Sequence, residues 1–267
     1  MVLLGIRNQI ERGSNMGRET FLVPITWERE PFEWKETKHL WPVVAPETGR
    51  VEILNDVVFN NSVQNKVTHF IDNFNTTQLD INWNFRRYPI EDVYKIDKEE
   101  NRLNLFCHPN QIKERGRAAL LGFKQTESDF EYLTQMYFQP KSSDSEAGIS
   151  LFQKDDNYIN FTIIKKGDKH HLQAYVVKKG EILESIQDEL KQYRGYIRLK
   201  VIADKEEYKF YYSLKGIDFI LFSSIEGSYL KSNGYTGAHL GLYATGNGKK
   251  NQDLASFDYV NYLIKKK

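Results

Sequence analysis

The hydrophobic positions of this chain fall into short stretches that recur, from about residue 100 onward, between charged or glycine-containing turns. In many of these stretches apolar and polar residues alternate, for example Tyr208, Phe210 and Tyr212 against Lys209 and Ser213. Alternation with a period of two predicts β-strands that bury one face. The predicted strands lie at 102–108, 118–125, 130–138, 147–153, 158–165, 171–178, 195–203, 207–214, 218–224, 237–245 and 256–264.

Turn sequences separate the predicted strands, among them "KDDN" at 154–157, "KKGDK" at 165–169 and "SLKGID" at 213–218. Strands at such short and regular spacing predict an all-β fold, an antiparallel sandwich or barrel. Only "EILESIQDELKQ", residues 181–192, has a helix-like composition. The sequence therefore predicts one short helical piece in an otherwise all-β chain.

The first part of the chain has a different pattern. "MVLLGIR" and "TFLVPITWE" predict two strands, and the residues at about 28–50 are irregular. Two or three strands cannot bury a core of their own, so this segment either packs on the following domain or is the remnant of another one. The mostly polar stretch 55–69 predicts a linker. The predicted organisation is therefore a first segment 1–54, a linker 55–69 and a β-sandwich 70–267.

Charge and hydropathy exclude several classes of partner. The chain of 267 residues has 37 basic and 36 acidic side chains, so no basic surplus favours nucleic acid or an anionic membrane. No run of about 18 apolar residues predicts a membrane span. The opening residues lack the basic region and the cleavage site of a signal peptide, which favours a cytoplasmic protein over a secreted one and leaves the compartment open.

Pattern alone reveals no catalytic set. The single cysteine, Cys107, excludes a disulfide within the chain and is typical of a buried or half-buried strand thiol. The histidines have no metal-site spacing, and most carboxylates fall in charged turns. Two residues stand out by position: Arg18, beside a glycine at the entrance of a strand, and Tyr235, in a glycine-containing loop before a strand. A turn-packing role for Tyr235 and a ligand-facing role remain open on this ground.

Several stretches resemble a known family. "MGRETFLVPITWE" followed by "WPVV" and "GRVE" is similar to the last propeller blade and exit of glycoside hydrolase family 43 β-xylosidases. "FIDNFNTTQLDINWNFRRYP", "EAGISLFQKDDNYINFTI", "YKFYYSLKGIDF", "GYTGAHLGLYA" and "ASFDYVNYL" resemble the C-terminal domain of those enzymes. The resemblance implies a concanavalin A-like antiparallel β-sandwich, a jelly roll, preceded by a remnant of a β-propeller blade.

The resemblance also implies a reaction that this chain does not complete alone. In the family, a five-bladed propeller supplies an Asp base, an Asp that tunes the pKa and orients the substrate, and a Glu acid. These residues release the terminal sugar of xylo-oligosaccharides or arabinose side chains by hydrolysis with inversion. None of the three carboxylates has a counterpart here, so the expected partners are a xylo- or arabino-oligosaccharide and the missing propeller domain or a homo-oligomer.

Four residues carry implied roles. Arg18 corresponds to an arginine that reaches the sugar-binding subsite, and a planar guanidinium suits two hydroxyls and a carboxylate. Tyr235 stands where the family commonly has a phenylalanine that walls the pocket. Some sandwiches of this class hold a structural calcium near the chain ends, and Asp72 and Asp258 are the candidate ligands here; local capping or pairing is the alternative. No cofactor is expected for catalysis.

Three hypotheses follow from the sequence. The first is an accessory sandwich module of a family 43 enzyme, inactive without its propeller. The second is a lectin-like sandwich that binds oligosaccharide through loop aromatics and has no hydrolase role. The third is a truncated product without an independent role.

Overall fold

The computed structural model describes residues 2–6, 15–28, 40–52, 68–88, 93–204, 207–231 and 236–265. Nineteen strands and one short 3₁₀ helix, Gly227–Leu230, make up the regular structure of these residues. Two large antiparallel sheets stack on each other, and this arrangement confirms the predicted all-β sandwich. No helix among the described residues is long and apolar enough to cross a membrane.

The first large sheet has the order β17-β16-β15-β10-β19-β8-β7, with β5 beside β19. Its strands are β5 (His69–Asp72), β7 (Tyr94–Asp97), β8 (Arg102–Phe106), β10 (Asp129–Tyr137), β15 (Tyr196–Asp204), β16 (Glu207–Ser213), β17 (Ile220–Glu226) and β19 (Leu254–Ile264).

The second large sheet has the order β14-β13-β12-β11-β18-β9-β6. Its strands are β6 (Trp83–Phe85), β9 (Ala119–Lys124), β11 (Glu146–Lys154), β12 (Asn157–Lys166), β13 (Lys169–Lys178), β14 (Glu181–Glu189) and β18 (His239–Thr245).

The core lies between the two sheets and follows the predicted alternation. Along β10 every second residue is buried, and the same holds for most of β15. Tyr208 and Phe210 are buried as predicted, and Tyr212 packs half-buried against the same core. Burying one large apolar side chain contributes about 1.5–3 kcal/mol, so the alternation is what holds the sandwich together.

The predicted helical piece at 181–192 is wrong. Residues Glu181–Glu189 form β14, which pairs with β13 at the edge of the second sheet. Lys179 and Gly180 both have positive φ (54° and 83°), the backbone of a two-residue turn that returns the chain as a hairpin. β14 is an exposed edge strand, so its charged side chains remain at the surface. No core packs against them that would favour a helix.

Two small sheets precede the sandwich. β1 (Val2–Ile6) pairs with β2 (Arg18–Leu22), and β3 (Ile25–Glu28) pairs with β4 (Trp41–Val44). The stretch predicted as one strand, "TFLVPITWE", is divided at Pro24, which has no N–H for a sheet ladder.

The predicted linker lies mostly outside the described residues. Residues 53–67 are not described, and β5 begins at His69, one residue before the predicted start of the sandwich. The boundaries 1–54, 55–69 and 70–267 therefore stay predictions.

Candidate functional site

The entrance of the Arg18 strand lies against the loop that precedes β18. Gly17, directly before Arg18, forms an isolated antiparallel bridge with Thr236, directly after Tyr235. Next to this bridge the Ala238 amide donates to the Asn15 carbonyl over 2.5 Å. Two segments more than 200 residues apart in sequence therefore meet backbone to backbone. Their contact places the sequence neighbours of both predicted substrate-binding residues side by side.

The two predicted side chains themselves are outside what the structure describes. Arg18 is described by its backbone, which begins β2 opposite Ile6. Tyr235 lies outside the described residues, which resume at Thr236. Roles in substrate binding for Arg18 and Tyr235 remain predictions, and what the structure adds is the bridge beside them.

Glycine is required on both sides of this bridge. Gly17 has φ +69°, and a Cβ there would lie 2.3 Å from the Gly237 nitrogen. A Cβ on Gly237 would lie 2.4 Å from both the carbonyl carbon and the oxygen of Met16. The neighbours are backbone atoms, which cannot rotate away as a flexible side chain does. We call the contact between residues 15–17 and 236–238 the Gly17–Gly237 contact.

A half-buried histidine stands beside this contact. Burial lowers the pKa of His239 below its ordinary value of 6.5, opposed by a hydrogen bond with the backbone of Gly237 and reinforced by the nearby Lys124 charge. Burial also lowers the pKa of His170, on β13. Both imidazoles are therefore harder to protonate in the folded chain than in the unfolded one.

This shift predicts a pH dependence of stability. As the pH falls through 6.5, the unfolded chain binds more protons than the folded one, so the free energy of unfolding decreases. The contribution of the neutral imidazole to stability is therefore fully present above pH 6.5 and is lost below it. We expect His239→Gln to remove part of the decrease between about pH 7 and pH 5, measured by urea unfolding across that range. The control is His69→Gln, on an exposed imidazole of β5. Equal pH slopes for wild type and His239→Gln would contradict the prediction.

Asp72, one predicted calcium ligand, anchors a turn to the opposite sheet. Its Oδ1 accepts from the Phe74 amide over 2.8 Å, and its Oδ2 accepts from Trp83 Nε1 over 2.7 Å. The turn needs such an anchor, because Phe74 has φ 51°, which is unfavourable for an aromatic residue. Asp72 and Asp80 also line an open pocket of about 560 Å³, where Asp80 Oδ1 accepts two hydrogen bonds from Asn82.

Asp258, the other predicted ligand, belongs to a row of polar side chains across the first sheet. Its Oδ1 accepts from Arg102 Nε over 2.9 Å and its Oδ2 from Gln135 Nε2 over 2.5 Å. Gln135 in turn accepts from Arg198 Nε over 2.9 Å. The sheet register places Asp72 beside Val260, two residues from Asp258, yet the two carboxylates bind different partners.

Hydrogen bonds account for both carboxylates of this pair. All four carboxylate oxygens already accept N–H hydrogen bonds, whereas Ca²⁺ needs six to eight oxygen ligands. Within the described ranges, no three His, Cys, Asp or Glu side chains stand close enough to hold a metal ion. The local capping and pairing that the sequence left as the alternative is what the structure shows, and the calcium site stays a prediction.

Cys107 is buried, as predicted. It is 2% exposed, and burial raises the pKa of its thiol to about 12. A thiol that keeps its proton at neutral pH is a poor nucleophile, so Cys107 contributes to packing.

A buried glutamate on the outer face of the second sheet was missed from the sequence. Glu146, 4% exposed, accepts at Oε1 from Thr162 Oγ1 and from the Tyr175 hydroxyl, each over 2.9 Å. Its Oε2 accepts from Asn247 Nδ2 over 3.2 Å. The carboxylate thus joins β11, β12, β13 and the turn after β18, and burial together with Glu146 raises the pKa of Tyr175 well above its usual value. Only the position of Glu146 at the start of an apolar stretch could have drawn attention to it.

Comparisons with known proteins give a consistent picture. A family model described as the β-xylosidase C-terminal concanavalin A-like domain matches residues 71–263. A non-reducing end α-L-arabinofuranosidase of Bacteroides ovatus is 24% identical over 266 residues, which are 98% of this chain and 48% of that protein. A xylosidase/arabinosidase of Butyrivibrio fibrisolvens is 26% identical and covers 92% of this chain and 46% of its own length.

Solved structures show the same fold at low identity. A Bacteroides ovatus protein of a xyloglucan utilisation locus, GH43B, superposes with a TM-score of 0.81 at 23% identity, over 99% of this chain and 51% of that one. A xylan β-1,4-xylosidase of Bacillus halodurans superposes with a TM-score of 0.77 at 18% identity, over 98% of this chain and 50% of the other. The chain therefore spans about half the length of the relatives it matches.

Proposed function

The chain belongs to the family of the β-xylosidase C-terminal concanavalin A-like domain of glycoside hydrolase family 43, and on this basis we propose that it is the accessory half of an enzyme acting on xylo-oligosaccharides or arabinosides. In this proposal the acid and base lie in the propeller half of the enzyme. Inversion requires both groups on opposite sides of the scissile bond, so this chain alone has no glycosidase activity.

The observation that carries the proposal is the Gly17–Gly237 contact. A domain that was merely linked in sequence to a catalytic domain would not need to contact the strand of Arg18, the arginine that we propose to bind substrate. Here the sandwich loop at 236–238 contacts the backbone directly before Arg18. This geometry supports a sandwich that completes the sugar-binding pocket from one side.

The first segment offers a surface for the propeller half. Among the described strands, β1–β2 and β3–β4 each form a sheet of only two strands, and an isolated two-strand sheet is marginally stable in water. Trp27 of β3 is 59% exposed and Leu40, just before β4, is 49% exposed. Further strands of a propeller would pair with the open edges and cover these side chains.

The test is an activity assay with and without a catalytic half. We expect the purified chain to release no sugar from aryl xylosides or arabinosides. Mixed with the part of the Bacteroides ovatus relative that this chain does not match, the purified chain is expected to restore turnover. Arg18→Ala is expected to abolish the restored activity. Turnover by the chain alone that disappears with Arg18→Ala would overturn the proposal.

One observation favours the second candidate, a binding module without a hydrolase role. Tyr196 on the outer face of the first sheet is 46% exposed, and its ring centroid lies 4.7 Å from that of Tyr137. Exposed aromatic planes stack on sugar rings. Calorimetry with xylo-oligosaccharides separates the candidates, because saturable binding by the chain alone that is lost in Tyr196→Ala would support the binding module.

A further inference from the structure

Resting on the proposed function, we propose that Tyr208 is a positioning residue for Arg18 and acts on it through Asn15. Its hydroxyl fixes the backbone from which the Arg18 strand starts, so that the core of the sandwich sets the place of an arginine on a different sheet.

Four hydrogen bonds form a closed ring around the Tyr208 hydroxyl. The hydroxyl donates to Gln125 Oε1 over 2.8 Å and accepts from Asn15 Nδ2 over 2.8 Å. Ala238 closes the ring with its backbone: its amide donates to the Asn15 carbonyl over 2.5 Å, and its carbonyl accepts from the Gln125 amide over 2.9 Å. Each of the four residues is bound to two others, so loss of the hydroxyl breaks two of the four bonds.

The hydrogen-bond ring is set in the buried core of the molecule. Tyr208 and Gln125 are each 2% exposed, and the Tyr208 ring lies 6.3 Å from that of Phe130 in the core. Burial raises the pKa of Tyr208, so its hydroxyl keeps the proton that it donates. In a dry interior, hydrogen bonds are stronger and unmet donors or acceptors are more costly than in water.

Asn15 transfers this fixed position to Arg18. Its side-chain amide also donates to the Gly227 carbonyl over 3.1 Å, so Asn15 is bound to three separate parts of the sandwich. Gly17, two residues on, is held against Thr236. Consecutive Cα atoms are about 3.8 Å apart, so the Arg18 backbone is one peptide unit from the fixed bridge.

A matched pair of variants tests the ring. Tyr208→Phe removes one hydroxyl and keeps the aromatic side chain in the core. Tyr132→Phe is the control, because Tyr132 is equally buried, on β10, and its hydroxyl has no hydrogen-bond partner among the described residues. Hydrogen exchange is measured for peptides covering 17–23 and 236–245, with peptides of β12 in the same sample reporting global unfolding.

We expect Tyr208→Phe to accelerate exchange about tenfold at the Ala238 amide and in β2, the factor for the loss of a net hydrogen bond, with β12 unchanged relative to Tyr132→Phe. Asn15→Ala, outside the core, is expected to produce the same local pattern, and the double variant is expected to add little. Equal exchange at 17–23 and 236–245 in Tyr208→Phe and Tyr132→Phe would overturn the proposal.

A kinetic measurement separates this proposal from the proposed function. In the enzyme restored with a propeller half, Tyr208→Phe is expected to raise KM about tenfold with little change in kcat, because Arg18 binds the sugar, whereas Tyr132→Phe leaves both unchanged. Failure to restore any activity contradicts the proposed function, while the exchange experiment still decides whether the ring fixes the strand. An unchanged KM in the restored enzyme contradicts the positioning role.

Discussion

Replacing Glu146 by alanine is expected to lower the free energy of unfolding by about 3–5 kcal/mol, because each buried hydrogen-bond donor left without its acceptor costs about 1–3 kcal/mol. The variant leaves the Thr162 hydroxyl, the Tyr175 hydroxyl and the Asn247 amide without their common acceptor. These donors belong to different strands and to a turn, so the loss affects the whole outer face of the second sheet. Urea unfolding, followed by circular dichroism, measures the change.

Two further variants show that the carboxylate acts through its hydrogen bonds. Glu146→Gln keeps one acceptor oxygen and is expected to lose about 1–2 kcal/mol, because the new amide faces the Asn247 amide. Glu181→Ala, on the exposed edge strand β14, is expected to change stability by at most about 0.5 kcal/mol. A Glu146→Ala variant as stable as Glu181→Ala would contradict a structural role for the buried carboxylate.

The sandwich could be predicted from the sequence because its strands carry their own pattern. The eleven stretches at 102–264 all correspond to observed strands, with ends that differ by a few residues. The exception, β14, is an edge strand with little burial, where alternation gives no signal. Its two-residue turn at Lys179 and Gly180 was the local feature that favoured a hairpin.

The interactions of polar side chains could not be predicted in the same way. Tyr208 was correctly predicted as a core residue from its alternation, but the partners of its hydroxyl are 83 and 193 residues away in the chain. Periodicity shows which face a side chain occupies and carries no information on which distant group meets its polar end. The resemblance directed attention to Arg18 and Tyr235, whereas the fixed contact between their segments is visible only in three dimensions.

The same distinction explains the metal prediction. Asp72 and Asp258 lie near one another in the sheet register, as their places near the two ends of the sandwich suggested. Carboxylate chemistry alone does not distinguish a calcium ligand from a hydrogen-bond acceptor. The neighbours of each carboxylate are what the sequence leaves open: here Trp83, Arg102 and Gln135 supply N–H donors, and the calcium site stays a prediction.

The second large effect is expected at the Gly17–Gly237 contact. In Gly237→Ala the new Cβ would lie 2.4 Å from two backbone atoms of Met16, so residues 15–17 must move away from the sandwich. We expect this to weaken the contact by about 3 kcal/mol, seen as exchange about a hundredfold faster at the Ala238 amide. Gly17→Ala is expected to have a similar effect, because its Cβ would lie 2.3 Å from the Gly237 nitrogen and its φ is +69°.

Two other glycines separate crowding from backbone strain. Gly49 and Gly216 have φ values of +64° and +65°, close to that of Gly17, but a Cβ on either meets no atom within 4 Å. Gly49→Ala and Gly216→Ala therefore carry only the strain of a left-handed alanine, about 1 kcal/mol, and leave exchange at Ala238 unchanged. If Gly216→Ala accelerated that exchange as much as Gly17→Ala, or if Gly237→Ala left it slow, backbone crowding would not hold the two segments together. Because Gly237 has no positive φ, a strong effect there is attributable to the close approach alone.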